Sequence, residues 1–214
     1  MTPMDQFIAR YPDCAGLRPA MEAAFNLLYA CVRNDRIIWL CGNGGSAADC
    51  EHWAGELLKS FSMVRPLKEA DRRRVRPPLD TMLQGGLRAV PLTGFPAFQS
   101  AFANDVAAPY GYAQLVWVLG RPGDVLVAIS TSGDAENVVH AARVARARQM
   151  SVLGLTGRTG GRLKALADVS IAVPRDATYQ VQELHLPVYH TLSLMLERTC
   201  FSEVQGDEPP APDA

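Results

Sequence analysis

The sequence has almost no net charge to offer a partner. Its 214 residues carry 21 basic and 22 acidic side chains, a balance of −1. No global field therefore draws in nucleic acid or an anionic membrane. The one basic run, Arg72-Arg73-Arg74 with Arg76, is flanked by Glu69, Asp71 and Asp80, and reads as a solvated segment. Long hydrophobic runs are missing: none reaches the roughly 18 residues that a membrane span needs. The opening, MTPMDQFIARYP, has no apolar stretch behind a basic start, so no signal peptide is expected. Cysteines are few and unpaired in pattern. Five of them, at 14, 31, 41, 50 and 200, form no CxxC. An odd number suits reduced thiols better than a disulfide framework. A cytoplasmic protein is expected, with no nucleic acid and no membrane among its partners. No internal repeat is present.

What the sequence does have is a regular alternation of elements. Residues 16–33 place Met21, Phe25, Leu28 and Val32 at helical spacing. Short runs of β-forming residues follow at 36–41, 88–93, 125–130, 151–156 and 168–173, with Pro91 an odd member of the second. Helical stretches lie between them at 46–61, 97–118, 134–148 and 160–167. A last helix is predicted over about 180–200, interrupted or kinked at Pro187. Strands alternating with helices predict an α/β fold, a parallel sheet with helices on both faces. Residues 62–87 are charged, hold three prolines, and read as a partly helical surface insertion. The chain is expected to form one domain over 1–205 with an N-terminal helix. The tail GDEPPAPDA, 206–214, is expected to be disordered.

In an open parallel sheet, ligands bind beyond the carboxyl ends of the strands. Three loops fall there. Gly42-Asn43-Gly44-Gly45-Ser46 follows the first strand and precedes a helix, whose free N–H groups and positive dipole end suit an anion. Ser130-Thr131-Ser132-Gly133-Asp134 follows the third and offers three hydroxyls for a phosphate monoester. Thr156-Gly157-Arg158-Thr159-Gly160-Gly161 follows the fourth. The first loop also reads as a plain tight turn, and the second as an ordinary helix cap made by its serine or threonine. A dinucleotide is disfavoured because Thr93-Gly94-Phe95 ends the second strand without an acid for a ribose, and no Walker lysine follows the first loop.

Behind the first loop, His52 and Glu56 stand at i and i+4 and share one helical face. They can move a proton, hold a metal or form a surface pair. A second group, Gln182, Glu183, His185 and His190, lies in YQVQELHLPVYHTL. GNGGSAAD, HWAGEL, AND at 103–105, ISTSGD and VQELHLPVYH, in this order, resemble the sugar isomerase (SIS) domain and, more narrowly, the phosphoheptose isomerase family. The resemblance runs from about residue 20 to 200 without the 62–87 insertion.

That resemblance implies a three-layer α-β-α sandwich on a five-stranded, flavodoxin-like parallel sheet. It implies a homotetramer with active sites between subunits, and conversion of sedoheptulose 7-phosphate to D-glycero-D-manno-heptose 7-phosphate. By position, Asn43, Gly44, Gly45, Ser46, Asn104, Asp105 and Gln182 would line the substrate site, and Ser130, Thr131 and Ser132 would hold the phosphate. Glu56 would be the base and His190 the acid. Some members bind zinc at the positions of His52, Glu56, Gln182 and His190. The chain departs from the family at Ala135, Lys59-Ser60 and Tyr179, where a hydroxyl, an arginine and an acid are usual. SIS domains also serve as non-catalytic sugar-phosphate sensors or scaffolds. The presence of both Glu56 and His190 favours an enzyme.

Overall fold

The structure is a computed structural model whose described residues are 1–202, so the tail expected to be disordered lies outside the described residues. Five strands form one parallel sheet: β1 (Ile38–Cys41), β2 (Ala89–Pro91), β3 (Val125–Ile129), β4 (Ser151–Thr156) and β5 (Val169–Ala172), in the order β2-β1-β3-β4-β5. Every strand is where the sequence placed it, trimmed by a residue or so at some ends. β3 is buried along its whole length, as a central strand covered on both faces must be. Pro91 is tolerated because β2 is an edge strand, so its missing N–H breaks no inner ladder.

Strand side chains alternate between two cores. Ile38, Leu40, Val125, Val127, Leu153 and Leu155 face one layer, formed by α1 (Pro3–Arg10), α2 (Arg18–Arg33), α3 (Gly45–Leu58) and α10 (Thr178–Phe201). Trp39, Cys41, Leu126, Ala128 and Val152 face the other, formed by α7 (Gly111–Leu119), α8 (Glu136–Ala147) and α9 (Gly161–Leu166). The expected three-layer α-β-α sandwich with an N-terminal helical extension is therefore observed. No helix among the described residues is long and apolar enough to cross a membrane. The five cysteines are free, and four of them are buried.

Three local expectations need correction. The helix read over 97–118 is broken: α6 (Pro96–Phe102) passes through a π turn at Ala103–Ala107 and a 3-10 turn at Ala108–Tyr110 before α7 begins. Pro109 has no N–H to continue the ladder, and Ala107 is already extended at φ −171°. The last helix shows the opposite error. α10 runs without interruption through Pro187. One lost helical bond and a ring clash cost about 3 kcal/mol. Val181, Leu184, Val188, Leu192 and Leu196 are all buried along the same helix, each contributing about 1.5–3 kcal/mol, so packing wins. Third, the 62–87 segment is not surface-lying throughout. Its short helices α4 (Glu69–Val75) and α5 (Leu79–Met82) bury nothing, yet Arg65 is fully buried.

Candidate active site

The sheet order reverses direction between β1 and β3, and the crevice outside their carboxyl ends is where such folds take ligands. The first and second glycine loops frame this crevice. Gly42 has no room for a side chain, because a Cβ would stand 2.7 Å from the Ser46 carbonyl oxygen. The Tyr112 hydroxyl donates to its carbonyl at 2.6 Å. Gly44 takes φ +54° and starts α3. In the second loop, Ser130 Oγ accepts the Ala135 N–H at 3.4 Å and Ser132 Oγ that of Asp134 at 3.1 Å. Those two hydroxyls thus also cap the turn before α8. The Asn43 and Asn137 amides exchange two 2.8 Å hydrogen bonds and tie the first loop to the first turn of α8. The second loop leans on the third: Gly157 N–H donates to the Thr131 carbonyl at 2.9 Å, and a Cβ on Gly133 would collide with the Gly160 carbonyl.

The other expected residues fall into two groups. Asn104 and Asp105 sit on the exposed π turn, where the Asn104 amide donates to Asp105 Oδ1 at 2.9 Å. Gln182 lies in the first turns of α10 with its amide over the first loop, so that a Cβ on Gly45 would stand 2.6 Å from its Nε2. His52, Glu56 and His190 come together. Their ligand atoms all lie within 4.8 Å of one another, although α3 supplies the first two and α10 the third. His52 Nε2 is 3.1 Å from Glu56 Oε1 and 3.4 Å from His190 Nε2. The rings of His52 and His190 meet edge to face at 5.0 Å, and Phe61 covers His190 at 5.3 Å. Burial, with His52 beside it, lowers the His190 pKa below the usual imidazole value. Lys59 Nζ approaches Glu56 at 3.8 Å.

Two imidazoles and a carboxylate converging on one point suit a borderline-soft divalent cation such as zinc. Three protein ligands leave a position open for a substrate oxygen. The donor set therefore fits a metal.

Four residues around this corner were not singled out from the sequence. Tyr189 is buried and stacked on Trp53 at 5.5 Å, and its hydroxyl lies 3.0 Å from His52 Nδ1 and 3.3 Å from Asp49 Oδ1. Arg65 donates to the carbonyls of Glu56 and Leu57, each at 3.0 Å, and through Nε to Glu197 at 2.6 Å. Glu197 also accepts from the Phe61 and Ser62 N–H groups at 2.9 Å. The signal for Arg65 and Glu197 was charge out of place: an arginine among apolar residues in SMVRP, and a glutamate on the apolar face of α10. His185, by contrast, is a core histidine, fully buried with Nε2 3.3 Å from the Thr156 carbonyl oxygen.

The geometry agrees with known proteins. The SIS domain family model matches residues 14–71 and 86–157. The phosphoheptose isomerase of Thiobacillus denitrificans is 41% identical over 179 residues, 82% of this chain and 81% of its own length. The phosphoheptose isomerase structure from Neisseria gonorrhoeae superposes with a TM-score of 0.73 at 34% identity, covering 90% of this chain and 94% of that one. That from Francisella tularensis gives 0.72 at 28% identity, over 91% and 94%. The fold, the loops at the crevice and these similarities agree: the chain belongs to the SIS-domain family and, within it, to the phosphoheptose isomerases.

Proposed function

We propose that this protein is an aldose–ketose isomerase that converts sedoheptulose 7-phosphate to D-glycero-D-manno-heptose 7-phosphate through an enediol(ate). One observation carries the reading: a carboxylate on α3 and an imidazole on α10 converge at Glu56 and His190, and α3 leads away from the first glycine loop. Gly45 and His52 are seven residues apart, about 10 Å of helix. Such a span suits a ligand anchored among the glycine loops at one end and worked on at the other.

In this mechanism Ser130, Thr131 and Ser132, with the N–H groups of the second loop, hold the phosphate. Asn43, Gly44, Gly45, Ser46, Asn104, Asp105 and Gln182 line the sugar. Glu56 moves a proton between C1 and C2, and His190 serves the oxygens. Burial and the neighbouring His52 favour the neutral form of His190, which has one nitrogen to donate from and one to accept. His52, Glu56 and His190 would hold zinc, with Gln182 or a substrate oxygen at the fourth position, and the metal when bound would polarise the carbonyl as a Lewis acid. The same reading implies four copies with sites between subunits, in the cytoplasm.

The test is incubation with sedoheptulose 7-phosphate, with and without zinc, following the aldose product. Arabinose 5-phosphate and fructose 6-phosphate are assayed beside it. Glu56→Gln is expected to abolish turnover while leaving affinity for the phosphorylated sugar nearly intact. Normal turnover by that variant removes Glu56 from the role of base.

A further inference from the structure

We propose that Tyr189 and Asp49 are positioning residues that fix the tautomer of His52, holding the ring proton on Nδ1 and leaving Nε2 bare toward Glu56 and His190. The inference rests on the reading of those three side chains as the reacting corner, and deepens it.

The argument is a count of protons. A phenol has one to donate, and a neutral imidazole has one as well. The Tyr189 hydroxyl lies within reach of two acceptors, Asp49 Oδ1 at 3.3 Å and His52 Nδ1 at 3.0 Å. A carboxylate is the stronger acceptor, and hydrogen bonds to it are roughly twice as strong as neutral ones. The phenol proton therefore goes to Asp49. The phenol oxygen is left to accept, and the proton it accepts is the one on Nδ1. All donors then point one way, from His52 through Tyr189 to Asp49. The phenol cannot swing to another partner, because its ring is buried and stacked on Trp53 at an interplanar angle of 18°. Asp49 ends the chain: its Oδ1 faces the phenol, and its buried Oδ2 has no partner among the described residues.

The consequence lies on the other edge of the ring. With its proton on Nδ1, His52 presents a lone pair at Nε2, 3.1 Å from Glu56 Oε1 and 3.4 Å from His190 Nε2. Electron-rich atoms so close need a shared electrophile: a divalent cation when one is bound, and otherwise a proton, such as one on His190 Nε2 facing His52 Nε2 at 3.4 Å. In the opposite tautomer Nε2–H would donate to Glu56, and the corner would be a satisfied surface pair with nothing to attract. Metal-binding histidines commonly anchor their second nitrogen on a carboxylate or carbonyl; here a phenol stands between the ring and the carboxylate.

Nitrogen-15 NMR of the metal-free, full-length protein at about pH 8, above the ordinary histidine range, reads the tautomer directly. The wild-type His52 proton is expected on Nδ1. Tyr189→Phe removes the acceptor and keeps the stacking ring. Asp49→Asn supplies an amide that donates to the phenol oxygen and turns the phenol proton toward Nδ1. Both variants are expected to move the ring proton to Nε2. Both should also weaken zinc binding, measured by chelator competition, about 10–100-fold. A wild-type proton on Nε2, an unmoved proton in both variants, or unchanged zinc affinity in both overturns the proposal. Neither readout requires turnover. Absence of isomerase activity alongside the expected tautomers would therefore overturn the assigned reaction and leave this inference standing.

Discussion

Two histidines five residues apart on α10 are buried to different depths. His190 is partly exposed beside His52 and Glu56, whereas full burial of His185 lowers its pKa from 6.5 to about 4, against an opposing effect of the Thr156 carbonyl. The unfolded chain then binds a proton between those two values that the folded chain refuses. Stability accordingly rises with pH across the interval, and falling pH removes on the order of 3 kcal/mol from this residue alone. Replacing His185 with Gln is expected to flatten stability between about pH 6.5 and 4, whatever it does to the absolute value, as followed by urea unfolding. A slope equal to wild type excludes His185 as the cause. At this scale the sequence was readable where residue type and motif coincide, as at His52, Glu56 and His190. It was silent on Tyr189 and Asp49. A tyrosine beside a histidine and an aspartate three before another are ordinary helix residues until α3 and α10 are laid side by side.

The helices of this corner are joined by a pair that neither helix displays alone. Arg65 and Glu197 have fully buried side chains. Arg65 closes the carboxyl end of α3 by taking up two of its last carbonyls, and Glu197 carries the tie to α10 two turns beyond His190. Burial pushes Glu197 up, but the Phe61 and Ser62 N–H groups, the Ser62 hydroxyl and Arg65 together hold it below the usual value of 4.5. Its contribution is therefore present above that value and lost as pH falls through the depressed one. Arg65→Met leaves a buried carboxylate unpaired and is expected to cost about 3–5 kcal/mol in denaturant unfolding. Adding Glu197→Leu should recover much of that loss, because a buried pair replaced by apolar groups is often near neutral. A single variant as stable as wild type would dismiss the pair as a fastener. Elements with strong local patterns, such as the five strands and α8, were legible in the sequence. α1 was overlooked although its start is written plainly: Thr2 caps, Pro3 opens the first turn and Asp5 completes a capping box. Pro109 opens a 3-10 turn, where its missing N–H costs little, whereas Pro187 stays inside an unbroken helix. What holds Pro187 there is packing that a single segment cannot reveal.

For the molecule as a whole, the surface still holds unspent apolar area. Leu58, Val64, Met82, Val106, Trp117 and Val118 are each more than half exposed. Scattered exposure of this kind is common, but it accords with the four-copy assembly proposed above. Sedimentation velocity is expected to show a single species of about four chain masses, with Trp117 emission shifting to the red as dilution separates the copies. A monomer at micromolar concentration would remove the assembly from the reading. The second and third glycine loops bear on how such a protein can change. They touch backbone to backbone at Gly133 and Gly160, with no side chain between them. At that contact the wall is main chain, which offers mutation nothing to enlarge, shrink or recharge. On the proposed reading, change at the anion end is confined to the hydroxyls of Ser130, Thr131 and Ser132, and drift toward a different sugar would be written elsewhere, in side chains such as Gln182 and those of the π turn.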